Sequence, residues 1–427
     1  MAISEITPND WASDAAAQRL KRRYRGDRRL KLAGILSLGF AGLMLFTLVA
    51  SLVGTGWQAF TQTHVRMSFE ISAEYVDADD PQRGNYRAIV GNAVAALFPE
   101  LEDRASLRAA RGIVSKGAEY QLRDMTLADP SLVGQTIEMR VPVSDPFDQL
   151  AKGYVDRDAP EAERRLNDDD IARFESLEAA GLISKPLNTA LLTNADSRFP
   201  EVAGLKGAIW GSFYALLVCF LISFPTGIAA GVYLEEFAPR NRFTDVIEVN
   251  INNLAAVPSV VFGLLALAVF LGWFGMPRSA PLVGGMTLAL MTLPTIIIAT
   301  RAALKAVPPS IREAALGIGA SRHQVAFTHV LPLAMPGILT GTIIGLAQAL
   351  GETAPLLLIG MNAFITAAPD GVMAPATALP TQIFIWADSP ERGFVSRTSA
   401  AILVLLTFLI CMNAIAVFLR RRFERSW

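Results

Sequence analysis

The amino-acid sequence predicts an all-α polytopic membrane protein with six transmembrane helices and an α+β domain inserted between the first two. The 427 residues are 52% hydrophobic and only 18% charged, with a mean hydropathy of +0.38, which is too apolar for an ordinary soluble protein. Six stretches supply the ~20 apolar residues that a helix needs to cross a bilayer. An acidic segment, residues 57–205, separates the first stretch from the other five. This composition excludes an intrinsically disordered chain and a collagen-like fibre.

The uncharged stretches give the positions of the predicted spans. They are Leu32–Val65 (apolar as far as Trp57), Gly207–Leu234, Val249–Pro277, Ser279–Thr300, Val330–Gly351 and Thr398–Leu419. We expect the fifth to continue past one acid, Glu352, through Leu356–Ile359. The first begins beyond residue 30 and lacks a convincing cleavage site, so it is predicted to be a transmembrane helix and not a signal peptide.

Basic residues in short flanks predict the orientation, because they favour the cytoplasmic side. Those before the first span are Arg19, Lys21, Arg22, Arg23, Arg25, Arg28, Arg29 and Lys31. Those after the last span are Arg420, Arg421, Arg422 and Arg425, and the loop between spans four and five holds Arg301, Lys305, Arg312 and Arg322. Both termini are therefore predicted to be cytoplasmic. The predicted parts are a basic N-terminus (1–31), a first transmembrane helix (32–56), an extracytoplasmic domain (57–205) and a transmembrane domain (206–427).

The segment 57–205 holds 16 Lys and Arg against 25 Asp and Glu, and its patterns are too regular for a linker. Ser68–Val76 and Thr136–Val143 alternate between apolar and polar residues, which predicts two strands. Tyr86–Phe98 and Ala159–Ala180 have helical patterns, the second with Asp168–Asp170 as caps and first-turn acids. We therefore expect a small α+β domain outside the membrane.

Motifs for catalysis, metal binding and nucleic-acid binding are missing from the sequence. No G-x-x-x-x-G-K-[ST] loop for nucleotide phosphates occurs, and His64, His323 and His329 are too scattered to form a zinc triad by themselves. The run from Asn167 to Asp170 lacks the alternating spacing and glycine of a calcium loop. An acidic block within a basic membrane chain is not typical of nucleic-acid binding. We expect neither catalytic residues nor a cofactor in this chain.

The loop between spans four and five, about residues 303–334, contains the most informative pattern. Ser310 with Glu313, and Ser321 with Gln324, have the spacing of capping boxes that begin short helices. Gly319 lies between them and suits the left-handed conformation that ends a helix. The sequence thus predicts a helical hairpin. Its small residues Ala314 and Ala315 form a face that another protein can approach closely.

The spacing within this hairpin resembles the EAA loop of ABC importer permeases. Glu313 is followed by Ala314 and Ala315, then by Gly319 six residues after the Glu, and by Leu331 and Pro332, which end 19 residues after it. The resemblance implies the type I ABC importer permease fold in a bacterial inner (cytoplasmic) membrane. It also implies that these six residues couple the chain to separate ATPase subunits that hydrolyse ATP.

Two further motifs are similar to the phosphate-specific, PstA-type branch of that family. They are Ala256–Gly263 (AVPSVVFG) in the third span and Gly351–Leu357 (GETAPLL) at the end of the fifth, within a resemblance that covers residues 205–427. This implies a permease subunit for inorganic phosphate that works with a second homologous permease subunit and an extracytoplasmic phosphate-binding protein, surrounded by membrane lipid. Pro258 and Ser259 become candidates for the translocation pathway.

Glu352 is a candidate for the pathway on physical grounds, because an acid within a membrane span is costly. It should pair with a base, either Arg301 or a residue of the partner permease, or remain protonated. The spans carry no Lys or Arg at their centres, so we expect the chain to form half of a pathway and to leave substrate selection to the binding protein.

Three alternatives remain open from the sequence. The first is an ABC permease for another oxyanion or small solute, with the same fold and coupling loop. The second is a membrane-anchored sensor with an external ligand-binding domain, and the third is a secondary transporter. A sensor needs a cytoplasmic output domain and a secondary transporter commonly shows repeated halves, and the sequence has neither feature.

Overall fold

The computed structural model describes residues 14–423 and divides the chain into two compact units, Met1–Gly54 and Thr55–Trp427. Residues 1–13 of the predicted N-terminus and Arg425 of the basic C-terminal flank lie outside the described residues. Helix α1 (Asp14–Gly56) has 43 residues with its basic residues in the N-terminal half, and a short 3₁₀ turn, Trp57–Phe60, follows it. Its apolar half agrees with the first predicted span.

A three-stranded antiparallel sheet forms the centre of segment 57–205. Strand β1 (His64–Glu70) lies between β2 (Thr136–Pro142) and β3 (Ile183–Ser184), and alternate side chains of β1 enter the core. The strand prediction at Thr136–Val143 is confirmed. The prediction of a strand over Ser68–Val76 is wrong in extent, because the chain turns at Ser72, whose carbonyl accepts the amide of Tyr75.

Short helices cover this sheet and complete its hydrophobic core. They are α2 (Tyr86–Leu97), α3 (Arg104–Arg111), α4 (Gly117–Ala128), α5 (Asp145–Ala151) and α6 (Asp168–Ala179). Helix α7 (Ala190–Thr193) follows β3, and its Leu191 packs in a separate hydrophobic cluster with Ala203 and Leu205. The helix predicted over Tyr86–Phe98 is confirmed. The one predicted from Ala159 begins later, because Pro160 starts a separate 3₁₀ turn and Asn167 caps α6 by accepting the amide of Asp170. Segment 57–205 therefore combines a β-sheet with helices, and its position outside the membrane stays a prediction.

Long apolar helices form the remainder of the chain. Those that could each cross a membrane are α8 (Lys206–Val232, continued by the π-helical turn Tyr233–Phe237), α11 (Pro281–Lys305), α14 (Leu331–Gly351, preceded by the π-helical turn Val325–Val330) and α17 (Gly393–Phe423). With α1 they make five continuous candidate spans among residues 14–423. Between them lie α12 (Pro309–Gly317), α13 (Arg322–Gln324), α15 (Ala354–Leu358) and α16 (Leu379–Ala387).

Helix α11 lies in close contact with α8 and α14, and small residues permit the approach. A Cβ at Gly227 of α8 would lie 2.7 Å from Cγ2 of Ile296, and one at Gly231 would lie 2.6 Å from Cγ2 of Thr300. On α14, a Cβ at Gly337 would lie 2.8 Å from the Cβ of Ala303. These backbones are packed directly against α11, so no larger side chain fits between them.

The continuous third span predicted over Val249–Pro277 is wrong. The segment forms two helices, α9 (Arg242–Ala255) and α10 (Ser259–Ala266, continued by a π-helical turn Leu267–Trp273), which meet at 99°. The break falls at Pro258, which has no amide hydrogen to donate and disfavours helical backbone in the preceding residue. A sixth span exists only if this bent pair counts as one.

The expected continuation of the fifth span past Glu352 is also wrong. Helix α14 ends at Gly351, Glu352 has extended backbone at φ −75° and ψ 118°, and the short α15 begins at Ala354. Pro355 lies in the first turn of α15, where its missing amide hydrogen costs nothing. The acid thus lies at a break between two helices.

Candidate coupling and translocation site

The coupling hairpin is built from α12, a glycine corner and α13. Gly319 has φ +91°, as predicted, and the capping box of Ser321 and Gln324 is confirmed by two hydrogen bonds of 2.9 and 3.3 Å. The other predicted box is wrong, because Pro308 and Pro309 begin α12 and place Ser310 inside the helix with no capping bond. The side chain of Glu313 therefore does not cap α12.

The exposed surface of α12 differs from the predicted one. Glu313 and Ala314 are exposed, whereas Ala315 is 4% exposed and packs against apolar residues of the chain itself. The prediction that both alanines form an approachable face is wrong for Ala315. Leu316 and Ile318 are exposed instead, Ile318 by 84%. Sequence reasoning missed these two residues, although large apolar side chains in a charged loop are a signal for a binding surface.

Arg312 fastens α12 to two membrane helices. Its Nη2 donates to Oε1 of Glu236 at 2.8 Å and to the carbonyl of Leu304 at 2.8 Å, while its Nη1 donates to the carbonyl of Val307 at 2.8 Å. Glu236 belongs to the π-helical turn that continues α8, and Leu304 lies near the end of α11. Since the planar guanidinium holds all three oxygens at once, α12 is joined to α8 and α11 through one side chain.

Arg301 pairs with acids other than the predicted one. Its Nη2 lies 2.6 Å from Oε1 of Glu248 on α9, and its Nε lies 3.5 Å from Oε2 of Glu235, which also pairs with Lys305 at 3.6 Å. The proposed pair of Arg301 with Glu352 is therefore wrong. Within residues 14–423, no side chain forms an ion pair with Glu352, which is half-buried at its helix break.

The sequence analysis did not identify the acids that pair with Arg301 and Arg312, which are Glu235, Glu236 and Glu248. The signal available was two successive acids at the end of a long apolar run, opposite a basic loop. In a regular helix neighbouring residues point 100° apart, and the π-helical turn adds a residue at this point. Glu235 contacts the end of α11 and Glu236 contacts α12, so the π-helical turn after α8 forms ion pairs with two different helices.

The two motifs that resemble the PstA branch meet in the structure. A Cβ at Gly263 of α10 would lie 2.7 Å from Cα of Pro355 and 2.8 Å from Cδ1 of Leu358, so α10 packs directly on α15. Pro258 is the exposed N-cap of α10 and Ser259 is its half-buried first residue. Leu331 and Pro332, at the other end of the coupling loop, begin α14 and are half-buried.

Comparison with known proteins places this chain in a family. Residues 223–425 match the profile described as "Binding-protein-dependent transport system inner membrane component". A 245-residue stretch, 53% of this chain, is 30% identical to 82% of the "Probable ABC transporter permease protein YqgI" of Bacillus subtilis. The chain belongs to this permease family. It is therefore a multi-pass inner-membrane permease subunit and not an enzyme, since the ATPase of such transporters is a separate chain.

Other permeases of the family carry more specific names. The "Phosphate transport system permease protein PstA" of Haemophilus influenzae is 30% identical over 248 residues, which cover 56% of this chain and 83% of that protein. The protein of the same name from Yersinia pestis is 32% identical over 221 residues, 50% of this chain and 71% of that one. The solved MetNI methionine ABC transporter matches with 17% identity and a TM-score of 0.43, covering 52% and 96% of the two chains. Residues 17–161 match a domain of unknown function, DUF3333.

Proposed function

We propose that this permease subunit imports inorganic phosphate. The observation that carries the proposal is its 30–32% identity to PstA proteins over more than two thirds of their length. The direct packing of Gly263 on Pro355, which joins the two PstA-like motifs, supports it. The chain then forms half of the pathway beside a second homologous permease, receives phosphate from an extracytoplasmic binding protein, and is driven by ATPase subunits.

The proposed topology has six spans, with α9 and α10 counted as one, and both termini in the cytoplasm. The basic residues from Arg19 to Lys31 and the cluster of Arg301, Lys305 and Arg312 support this orientation. It places residues 57–205 outside the membrane and the coupling hairpin inside, where an ATPase can reach it.

The proposed coupling surface is the exposed side of α12. Glu313, Ala314 and the apolar Leu316 and Ile318 contact the ATPase, and Gly319 gives the corner its shape. Ala315 contributes by holding α12 on the permease core. A displacement of α12 then reaches α8 and α11 through Arg312, and it reaches α14 through Leu331 and Pro332 at the other end of the hairpin.

The proposed translocation residues lie at the two helix breaks. Pro258 and Ser259 start α10 after the bend, and Glu352 separates α14 from α15. Irregular backbone within a membrane occurs where it lines a cavity or is buried in protein. Arg301, held between two acids, fixes α9 and α11 at the same side as the coupling hairpin and does not contact Glu352.

The test is transport in vesicles that contain the permease pair, the ATPase and the binding protein. Uptake of labelled phosphate and of labelled sulfate is measured with ATP hydrolysis for the native chain and for Ala314→Trp. The matched control is Ala172→Trp, since Ala172 is also an exposed alanine on a helix, α6. We expect phosphate uptake without sulfate uptake, abolished by Ala314→Trp and unchanged by Ala172→Trp. Sulfate uptake without phosphate uptake would assign another oxyanion, and full activity of Ala314→Trp would remove the docking role.

A further inference from the structure

A cavity of about 310 Å³, lined by both charged and apolar groups, lies where the α+β domain meets the beginning of α17. Helix α5 and the loop after it form one wall, and the first turn of α17 forms another. The residues that bear its charges are Asp145, Asp148, Lys152, Glu201, Arg392 and Arg397. Three carboxylates thus face three cations, which makes the lining electrically balanced when all of them are ionised.

Four of the charged residues in this cavity already have partners within the chain. Lys152 Nζ donates to Oδ2 of Asp148 at 2.6 Å, and Glu201 accepts the hydroxyl of Ser115 at 2.6 Å. Arg397 is 4% exposed and donates to the carbonyl of Ala203 at 2.7 Å. These hydrogen-bonded side chains are held in place, and together they present both positive and negative charges to the cavity.

Asp145 and Arg392 also line the cavity, and they differ in exposure: Asp145 is only 7% exposed, whereas Arg392 is exposed. Asp145 accepts a bond of 2.7 Å from Nε2 of Gln149, and its burial raises its pKa because the charged form is desolvated. A ligand that brings a cation to Asp145 would offset that desolvation. Arg392 is exposed at the mouth of the cavity, where its guanidinium can reach a ligand anion.

The cavity is lined by the ends of two candidate spans, so the proposed topology puts it near the outer membrane surface. Ala59 belongs to the last turn of the first candidate span, and Ser396 belongs to the first turn of the last one. Val395, 60% exposed, and Tyr154, 47% exposed, also line it. An apolar side chain beside an aromatic ring with a polar tip is typical of the interface between lipid chains and headgroups.

We propose that this cavity binds the headgroup of a zwitterionic phospholipid with a primary ammonium, phosphatidylethanolamine, with the phosphate at Arg392 and the ammonium at Asp145. A balanced lining gives no net attraction for a lipid or solute with net negative charge, whereas a zwitterion can place each of its charges beside a lining charge of opposite sign. A primary ammonium donates hydrogen bonds to a carboxylate, and a quaternary one cannot. The acyl chains leave past Val395 along α17. The inference depends on membrane insertion of the chain and not on the transported substrate.

The experiment measures lipid binding to the purified full chain by native mass spectrometry and by thermal unfolding in detergent. The probes are short-chain phosphatidylethanolamine, phosphatidylcholine and phosphatidylglycerol, with soluble O-phosphoethanolamine as a separate arm. We expect binding and a raised Tm with phosphatidylethanolamine alone. Arg392→Gln should weaken this binding by about tenfold, which corresponds to the loss of one charge-assisted contact.

The control for charge is Arg108→Gln, which removes an exposed arginine elsewhere in the same domain and should leave binding unchanged. Asp145→Asn keeps an acceptor for Gln149 and should abolish the preference over phosphatidylcholine. Equal binding of phosphatidylcholine or phosphatidylglycerol to the native chain would overturn the proposal, as would unchanged binding by Arg392→Gln. Binding of O-phosphoethanolamine as tight as that of the lipid would assign a soluble zwitterion instead.

Discussion

Replacing Glu236 by Gln should release α12 from the end of α8 while leaving its other contacts intact. The bond between Arg312 Nη2 and Glu236 Oε1 is 2.8 Å long, and the two side chains are 24% and 13% exposed. A hydrogen bond to a charged group contributes about 1.5–3 kcal/mol. Solvent screening and the remaining amide oxygen place the loss just below this range, at about 1.4 kcal/mol, or tenfold in the equilibrium between held and released α12.

Two measurements on the assembled transporter follow this release. Amide hydrogen exchange in α12 should become about tenfold faster, because local opening becomes more frequent by the same factor. The amount of phosphate imported per ATP hydrolysed should fall, since motion of α12 no longer reaches α8. Arg312→Lys should behave similarly, because an ammonium cannot hold the carboxylate and the carbonyls of Leu304 and Val307 together.

Glu235→Gln is the matched control, since it makes the same chemical change one residue earlier. Glu235 pairs with Arg301 and Lys305 on α11, and within residues 14–423 it forms no ion pair with α12. We expect hydrogen exchange in α12 to stay at the native rate in this variant. The reasoning fails if Glu236→Gln retains native exchange and a native ratio of phosphate to ATP. It also fails if Glu235→Gln accelerates exchange in α12 as much as Glu236→Gln does.

Three further predictions concern the corner of the hairpin, the topology and the pathway. Gly319→Val forces a β-branched residue to φ +91°, which should cost about 1–3 kcal/mol and reduce ATPase binding in a pull-down, whereas an unchanged yield would contradict it. In a cysteine-free background, an impermeant thiol reagent added outside should label Pro160→Cys and not Ala320→Cys, and the opposite result would reverse the topology. Glu352→Gln should preserve assembly and alter phosphate uptake, and unchanged uptake would remove this acid from the mechanism.

The spans were predictable because the requirement that produces them is local. About 20 apolar residues suffice to cross a bilayer, whatever the other helices do. The exceptions have local causes as well: Pro258 breaks the third span and the segment around Glu352 ends the fifth. Both residues stood in the predicted stretches, where uninterrupted hydrophobicity outweighed the signal for a helix break.

The coupling site was predictable only in part, since its contacts join helices that are far apart in sequence. The left-handed Gly319 and the Ser321 box follow from spacing within a few residues. The burial of Ala315 depends on how α12 packs on the core, and no spacing rule contains that information. The partner of Arg312 lies 76 residues away on a π-helical turn that the sequence did not predict.

The glycine contacts of α11 determine which parts of the permease can move independently. Side chains that interlock across a helix interface can change rotamer when the helices shift. The glycine backbones of α8 and α14 that pack on Ile296, Thr300 and Ala303 cannot adjust in this way. We therefore expect α8, α11 and α14 to move together in a conformational cycle. The helix breaks at Pro258 and Glu352 are where the backbone of this half of the transporter can bend, so we expect a gate to involve α10 and α15.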